Sequence, residues 1–538
     1  MQRTRKVPVY RIIKKITGNG ENLVSTLHVI DYAILAVYVA VVVVVCIRVS
    51  RRSPDMDELF LAGRSLGPFV IGLSLFASNI SSTTLIGLPG AAWQSGISVA
   101  NYEWMAALVL LFAAIFVVPV FIRHKVTTVP EIMERRFSPV MRRYLSVCSL
   151  FLSIVLDTAG SIYAGSLVLM LFIPGLELFP TCIALALFAG IYTTAGGLRA
   201  VAYTDVLQAV VLILGSVILT ITVFAQFDYS WSNVLAQVPK DHMSLIRPLD
   251  DEALPWLGTL IGLPILGFYY WTMNQYVAQR VLGARDVNAA GYGALIAAAL
   301  KLLPLFIMVL PGAMAAVLFS DLERADTVFP RLIAEYAPPG LAGLMVAGLL
   351  AAIMSSVDST LNSASTLLIA DFVQPLKPRL SHQQLARLGR YTTLTLMVLA
   401  ALWAPLIDYF PGLFAYLQQT FAYVTPPLVA VFAAGFISRK VSARAALRGT
   451  LSGHLMSVLL FIGAQLGWHS IHFTIVAGIL FALTLLAIVI WQWLLKTPTD
   501  AAQAAMTAQQ PADLPVKAVR TGAVVLTLLT LLLVVAFW

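Results

Sequence analysis

The sequence predicts an all-α polytopic membrane protein with about fourteen transmembrane helices. Hydrophobic residues make up 59% of its 538 positions and charged residues 11%. A soluble domain carries about 25% charge. Apolar runs long enough to cross ~30 Å of hydrocarbon recur about every 30 residues. Polar residues intrude on these runs at only a few places, and each such intrusion is costly in lipid and marks a candidate functional site.

The elements follow in chain order. Residues 1–27 form a basic tail, with six Lys or Arg in the first 15 positions. The apolar run 28–48 is long and has no small-residue cleavage site before a soluble domain, so it reads as an anchoring helix and not a cleaved signal. Five runs follow at 66–92, 101–123, 142–174, 177–195 and 204–227, and five more at 254–274, 289–319, 340–370, 390–407 and 411–437. Two runs lie within 446–495, a linker occupies 496–518, and a last run covers 519–538. No soluble catalytic domain fits between them, which argues against a membrane-tethered enzyme or sensor kinase.

Alternate loops are basic. Arg48, Arg51 and Arg52 follow the first run, and Arg123, Lys125, Arg135, Arg136, Arg142 and Arg143 follow the third. Arg280 and Arg285, then Lys377, Arg379, Arg387 and Arg390, then Arg439, Lys440, Arg444 and Arg448 follow the seventh, ninth and eleventh. Intervening loops at 228–253 and 320–339 are longer or more acidic. The positive-inside bias places both termini outside a cell membrane, although the 1–15 tail is itself basic. The net charge of +9 therefore reflects cytoplasmic loops and not nucleic-acid binding. Cys46, Cys148 and Cys182 lie in or beside apolar runs with no paired or zinc-type spacing, so free thiols are expected.

Two stretches break the apolar rule most strongly. Ala77-Ser78-Asn79-Ile80-Ser81-Ser82-Thr83-Thr84 precedes Gly87-Leu88-Pro89-Gly90. Non-helical backbone at membrane depth survives only where it is buried or lines a cavity, so a discontinuous, site-forming helix is expected. Ser/Thr helix packing is the plainer alternative. The run 340–370 carries Ser355, Ser356, Asp358 and Ser359, then Asn362, Ser363, Ser365 and Thr366. Ser355 and Ser359 are four apart, as are Asp358 and Asn362, which makes a polar helical stripe. Hydroxyl and carbonyl oxygens without thiols or imidazoles suit a hard cation such as Na⁺. Glu103, between Tyr102 and Trp104, and Lys301, inside its run, suit a small polar ligand, or else an interfacial acid and a snorkelling lysine. Asp157 and Asp205 are further carboxylates at membrane depth or its edge, and Asp205 also fits a helix cap.

These motifs carry a family resemblance. Tyr102-Glu103-Trp104, the run Gly196-Gly197-Leu198-Arg199-Ala200-Val201 leading to Tyr203-Thr204-Asp205, Tyr269-Tyr270-Trp271, Asn274-Gln275, Gln279-Arg280 and Ser355-Ser356 resemble the solute:sodium symporter family, nearest its sodium/glucose cotransporter branch. The resemblance runs from about residue 28 to 538. It implies a LeuT-type core of two inverted five-helix repeats, at 60–227 and 254–437, with binding at the midplane where the first helix of each repeat breaks. It further implies a principal sodium site at the carbonyls of Ala77, Ile80 and Ala352 and the hydroxyls of Ser355 and Ser356. A second sodium site, present in some members, falls on Asp205 and Ser359. Asp358 stands where the animal glucose carriers have a hydroxyl, a departure that either adds it to that second cation site or replaces its sodium with a proton. Sugar contacts fall on Asn79, Glu103, Tyr270, Trp271, Lys301 and Gln418. Thr84 replaces a His or Gln of relatives, and Gly267 an Asn or Thr. The function implied is sodium-coupled symport of a neutral hexose, or alternatively of myo-inositol or another polyol. The rivals are anion uptake, a transporter-like sensor and a passive channel. The implied partners are the solute, Na⁺ and the lipid bilayer.

Overall fold

The computed structural model describes residues 28–49, 56–173, 175–410, 412–500, 503, 505–507 and 514–537. The 1–27 tail and most of the 501–513 stretch of the linker lie outside the described residues. Backbone in lipid must bond within its own segment, and the described chain is accordingly helical, with only isolated bridges such as Leu66–Ala284. The first half contains α1 (Val29–Val49), α2 (Pro68–Asn79), α3 (Ser82–Ser95), α4 (Ala100–Phe116), α5 (Pro139–Leu152), α6 (Ala159–Phe172) and α7 (Leu178–Ala225). The second contains α8 (Trp256–Phe268), α9 (Gln275–Leu282), α10 (Val287–Leu300), α11 (Leu310–Leu318), α12 (Leu341–Leu368), α13 (His382–Trp403) and α14 (Leu413–Ile437). Peripheral helices α15 (Ala443–Gln465), α16 (Phe473–Leu495) and α17 (Lys517–Ala536) follow. Ten described helices are long and apolar enough to span a membrane, and the bent α2–α3 pair makes an eleventh span. Shorter apolar stretches at Val29–Val42 and Leu178–Ala189, and the interrupted α8–α9 pair, fall on the remaining expected runs.

Helical bonding is continuous through α7, yet α7 does not run straight. Leu185 and Ile353 both close on Gly165, while Leu212 closes on Gly348. A straight helix would hold Leu185 and Leu212 about 40 Å apart, whereas Gly348 and Ile353 are separated by only about 7.5 Å of helix rise. The 177–195 and 204–227 runs therefore fold back against the same part of α12.

The chain break in the second run falls at Ile80 and Ser81, inside the polar 77–84 stretch. Pro89 sits inside α3 without ending it. Gly90 and Gly312 there serve close packing: a Cβ on Gly90 would strike the Ala325 carbonyl, and one on Gly312 the Pro89 carbonyl.

The loops sort to two ends. At one end Arg64 donates to the Lys125 and Val126 carbonyls, Arg285 N to the Leu66 carbonyl, and Arg136 to the Ser438 carbonyl, so the basic loops share a face. At the other, Asn101 Nδ2 donates to the Leu245 carbonyl at 2.7 Å, and Leu245 N to the Phe537 carbonyl at 3.1 Å. Asp31, in the first turn of α1, accepts from Gly340 and Gly343 N, each at 2.7 Å, ahead of and within α12. Both described ends of the chain thus lie opposite the basic loops. Leu455, Trp493 and Leu532 on the peripheral helices are exposed, as an apolar belt facing lipid requires.

Candidate functional site

Two helices break at the centre of the fold. Between α2 and α3 the axis bends by 55°. Ile80 leaves the helical region (ψ 59°) and Ser81 is extended (ψ 173°). Beyond Phe76, whose carbonyl accepts from Ile80 N at 2.9 Å, the last carbonyls of α2 have no helical partner among the described residues, and that of Asn79 receives Thr84 Oγ1 at 2.6 Å. In the other half, α8 passes into a π-segment at Tyr269–Met273 and stops at extended Asn274. Asn274 caps α9 through its side chain, which accepts from Tyr276 N. Wide π turns commonly accompany functional sites, and another lies at Ser153–Thr158, joining α5 to α6.

These breaks surround a cavity of about 110 Å³. Of the sequence-predicted sugar residues, Asn79, Thr84, Glu103, Tyr270, Trp271 and Gln418 line it, as does Gly267. Asn79 Oδ1 is buried with no hydrogen-bond partner among the described residues. Tyr270 bonds hydroxyl to hydroxyl with Tyr276, and its ring meets Trp271 edge-on at 5.2 Å. Lys301 stands behind the wall. It ends α10, is fully buried, donates Nζ to Glu103 Oε2, and lies 5.0 Å from the Trp271 ring centroid. Glu103 alone of that pair touches the cavity, and no Lys, Arg or His is among the described lining residues.

The predicted cation residues occupy the neighbouring layer. Ser356 lines the cavity together with Ser78, the residue between Ala77 and Asn79. Ala77, Ile80, Ala352 and Ser355 are buried beside it. Ser355 Oγ donates to Asp205 Oδ1. A hydroxyl that gives its proton to a carboxylate keeps its lone pairs for a cation on the other side.

Asp205 is neither a cap nor a lone carboxylate. It lies well inside α7, and its Oδ2 accepts from Arg280 Nη2 at 2.9 Å and from Ser74 Oγ at 2.5 Å. Arg280 also donates to Ser74 Oγ at 2.7 Å and Ser359 Oγ at 2.8 Å. Both charged side chains are at most 1% exposed. Sequence reasoning counted Arg280 among the loop cations; the structure buries it as the partner of Asp205. Its position four residues after Tyr276, on a segment rich in Gln and Tyr, was the available signal. Asp358 and Ser359 are buried on the same helix. Sequence reasoning also gave Asp157 no role, although it lines the cavity with Ser161 and Thr360.

Above this chamber, on the face away from the basic loops, lies a wider cavity of about 1130 Å³ bordered by Trp93, His242, Arg247, Asp251 and Asp326. Tyr102 and Phe414 line both cavities and meet edge-to-face at 5.1 Å, so this ring pair divides one from the other.

The comparisons with known proteins agree with this geometry. The family model for the sodium:solute symporter family matches residues 59–453. The chain is 36% identical over 465 residues to the sodium/mannose cotransporter SLC5A10 of Bos taurus, covering 79% of this chain and 78% of that one. It is 33% identical over 521 residues to sodium/myo-inositol cotransporter 2 of Homo sapiens, covering 87% and 77%. A solved Na⁺-coupled sialic acid symporter in a substrate-bound outward-open state superposes with a TM-score of 0.77 at 23% identity, over 88% of this chain and 99% of that one. That likeness shows a LeuT-type fold. Two broken helices around a midplane cavity, a hydroxyl-rich layer beside it and a family match across most of the chain lead to one conclusion: the chain belongs to the sodium:solute symporter family, whose members are sodium-coupled membrane transporters and not enzymes.

Proposed function

We propose that this chain couples inward Na⁺ movement to uptake of a neutral sugar across the cell membrane, a hexose in the first reading. A cyclitol such as myo-inositol is the second reading, favoured equally by the mannose and myo-inositol carriers among its relatives. The observation that carries the proposal is the cavity wall. Of its two acids, Glu103 is neutralised from behind by Lys301 and Asp157 is held by the Asn274 amide, leaving carboxyl, amide and hydroxyl groups beside the Tyr270 and Trp271 rings. Such a lining hydrogen-bonds a polyhydroxy ring and stacks on its apolar face. An anion would find no cation on the described wall.

Na⁺ is assigned to the carbonyls of Ala77, Ile80 and Ala352 with the Ser355 and Ser356 hydroxyls. The α2 break supplies carbonyls that no amide claims, and Asp205 polarises Ser355. A further Na⁺ at Asp205, Asp358 and Ser359 requires Arg280 to release Asp205 and Ser359. Sodium at the α2–α3 break fixes its geometry and completes the sugar wall; with both bound, the two halves rock and open inward. Each Na⁺ moving inward gains about 2.3 kcal/mol per 100 mV of potential, plus its gradient. The basic loops face the cytoplasm, so both termini and the wider cavity face outside.

Counterflow of labelled glucose, galactose, mannose and myo-inositol in proteoliposomes tests the substrate assignment. Exchange of at least one, dependent on Na⁺, is expected. Exchange of none of them overturns it.

A further inference from the structure

Two carboxylates line the central cavity among the described residues, Glu103 and Asp157. Each is held from behind. Glu103 has a cation, Lys301. Asp157 has an amide: Asn274 Nδ2 donates to its Oδ2 at 3.1 Å. Two other buried acids at the core carry cations, Asp205 with Arg280 and Asp371 with Arg142. No described Lys or Arg forms an ion pair with Asp157.

Its position is fixed from two directions. It lies in the Ser153–Thr158 π-segment, whose wide turn re-aims a side chain. Asn274 is the residue at which the second broken helix stops. Next to Asp157, Thr158 Oγ1 bonds Thr360 Oγ1 at 2.8 Å, tying the segment to α12. Asp157 is 9% exposed, and the cavity is what it is exposed to.

A carboxylate in a desolvated site must be satisfied by donors. One amide occupies one of its oxygens, and Oδ1 is left for whatever fills the cavity. We propose that Asp157 is a specificity-determining residue, accepting a hydrogen bond from one hydroxyl of the transported sugar or polyol at a part of the ring separate from that read by Glu103. This rests on the sugar-or-polyol reading above. Glu103 spends Oε2 on the Lys301 ammonium and Asp157 spends Oδ2 on the Asn274 amide, so the Oδ1 of Asp157 is kept for the ligand, and the site rejects an analogue that lacks the hydroxyl it meets.

The test is a cycle between protein and ligand. Wild type and Asp157→Asn are reconstituted in proteoliposomes with an inward Na⁺ gradient. Uptake of labelled glucose, mannose and myo-inositol is measured against concentration, with each monodeoxy analogue of the transported compound as competitor. Leaving a buried polar partner unsatisfied sets the expected loss at roughly 5- to 150-fold in affinity. One deoxy analogue should bind wild type more weakly by that factor and lose nothing further in Asp157→Asn. The parent compound should weaken by the same factor in the variant, with the Na⁺ half-saturation unchanged. Asp157→Ser gives the same comparison where the amide variant does not insert. A purely structural role would scale every analogue alike, and that result overturns the assignment. So does unchanged sugar affinity with a shifted Na⁺ half-saturation, which makes Asp157 a cation ligand. Wild type transporting none of these three compounds, nor galactose, overturns the sugar reading itself; wild type and Asp157→Asn behaving identically overturns only the role of Asp157.

Discussion

Lys301→Met removes the cation behind Glu103 and leaves everything that lines the cavity in place. The pair is desolvated, with side-chain exposures of 0% and 9%. Breaking a buried ion pair by deleting one partner costs about 3–5 kcal/mol, because the remaining charge stays buried without compensation. That corresponds to roughly two to three and a half orders of magnitude in an equilibrium constant. Part of it appears as lost thermal stability and part as lost substrate affinity, since Glu103 must take a proton or a water to survive. The double variant Glu103→Gln/Lys301→Met replaces both charges with groups of similar size. Its stability should return to within about 1 kcal/mol of wild type, while uptake stays abolished because the carboxylate acceptor is gone. Thermal unfolding of the purified protein, paired with initial rates of Na⁺-driven uptake of glucose, mannose and myo-inositol, separates the two effects. A double variant as unstable as the single one refutes the ion-pair reasoning, and a double variant that transports normally refutes the place of Glu103 in the ligand site.

Ser356→Ala should raise the Na⁺ concentration for half-maximal uptake several-fold while membrane insertion is intact; an unchanged Na⁺ curve moves the principal sodium site elsewhere. Gln418→Ala should abolish uptake of the preferred compound, read as initial rate in the same vesicles, because a desolvated polar wall rejects a ligand it cannot satisfy; robust transport contradicts that role. Outside the membrane, His472 precedes α16, and burial pushes its imidazole down to about 4 against the nearby charge of Asp251. The unfolded chain therefore binds a proton that the folded one refuses between about pH 6.5 and 4. The stability this confers is complete above the unfolded value and is lost as pH falls through the folded one. Thermal unfolding across pH 7 to 4 should show that slope, and His472→Asn, which can still cap the helix, should flatten it.

Much of this architecture is written locally in the chain. Transmembrane runs are contiguous, so their places along the chain are legible, although α13 begins at His382 ahead of the apolar run at 390 and α7 shows no helix end between 195 and 204; eight consecutive positions from Ala77 to Thr84 announce a broken helix. The chain opens within that run, at Ile80 and Ser81, while Pro89 stays inside α3, because a proline's missing amide is tolerated where neighbouring helices pack against it. Pairings across the fold were not legible from spacing, and only the family resemblance placed Glu103 and Lys301 at one site. Lys301 meets Glu103 across 198 positions and Arg280 meets Asp205 across 75. Sequence spacing carries no trace of contacts made only when distant helices pack. Arg280 lies close enough to loop arginines to be counted with them, and Asp157 lies in a helix whose π turn no local composition reveals.

Sodium coupling is the central claim, and a gradient tests it most directly. Purified protein in proteoliposomes, loaded with K⁺ and diluted into Na⁺ medium, should accumulate labelled hexose or myo-inositol transiently above the external concentration. Setting Na⁺ equal on both sides with no membrane potential should abolish the overshoot but not equilibration. Accumulation that is the same with K⁺ outside, or that follows a proton gradient without Na⁺, would contradict the assignment of the Ala77–Ile80 and Ser355–Ser356 layer to Na⁺.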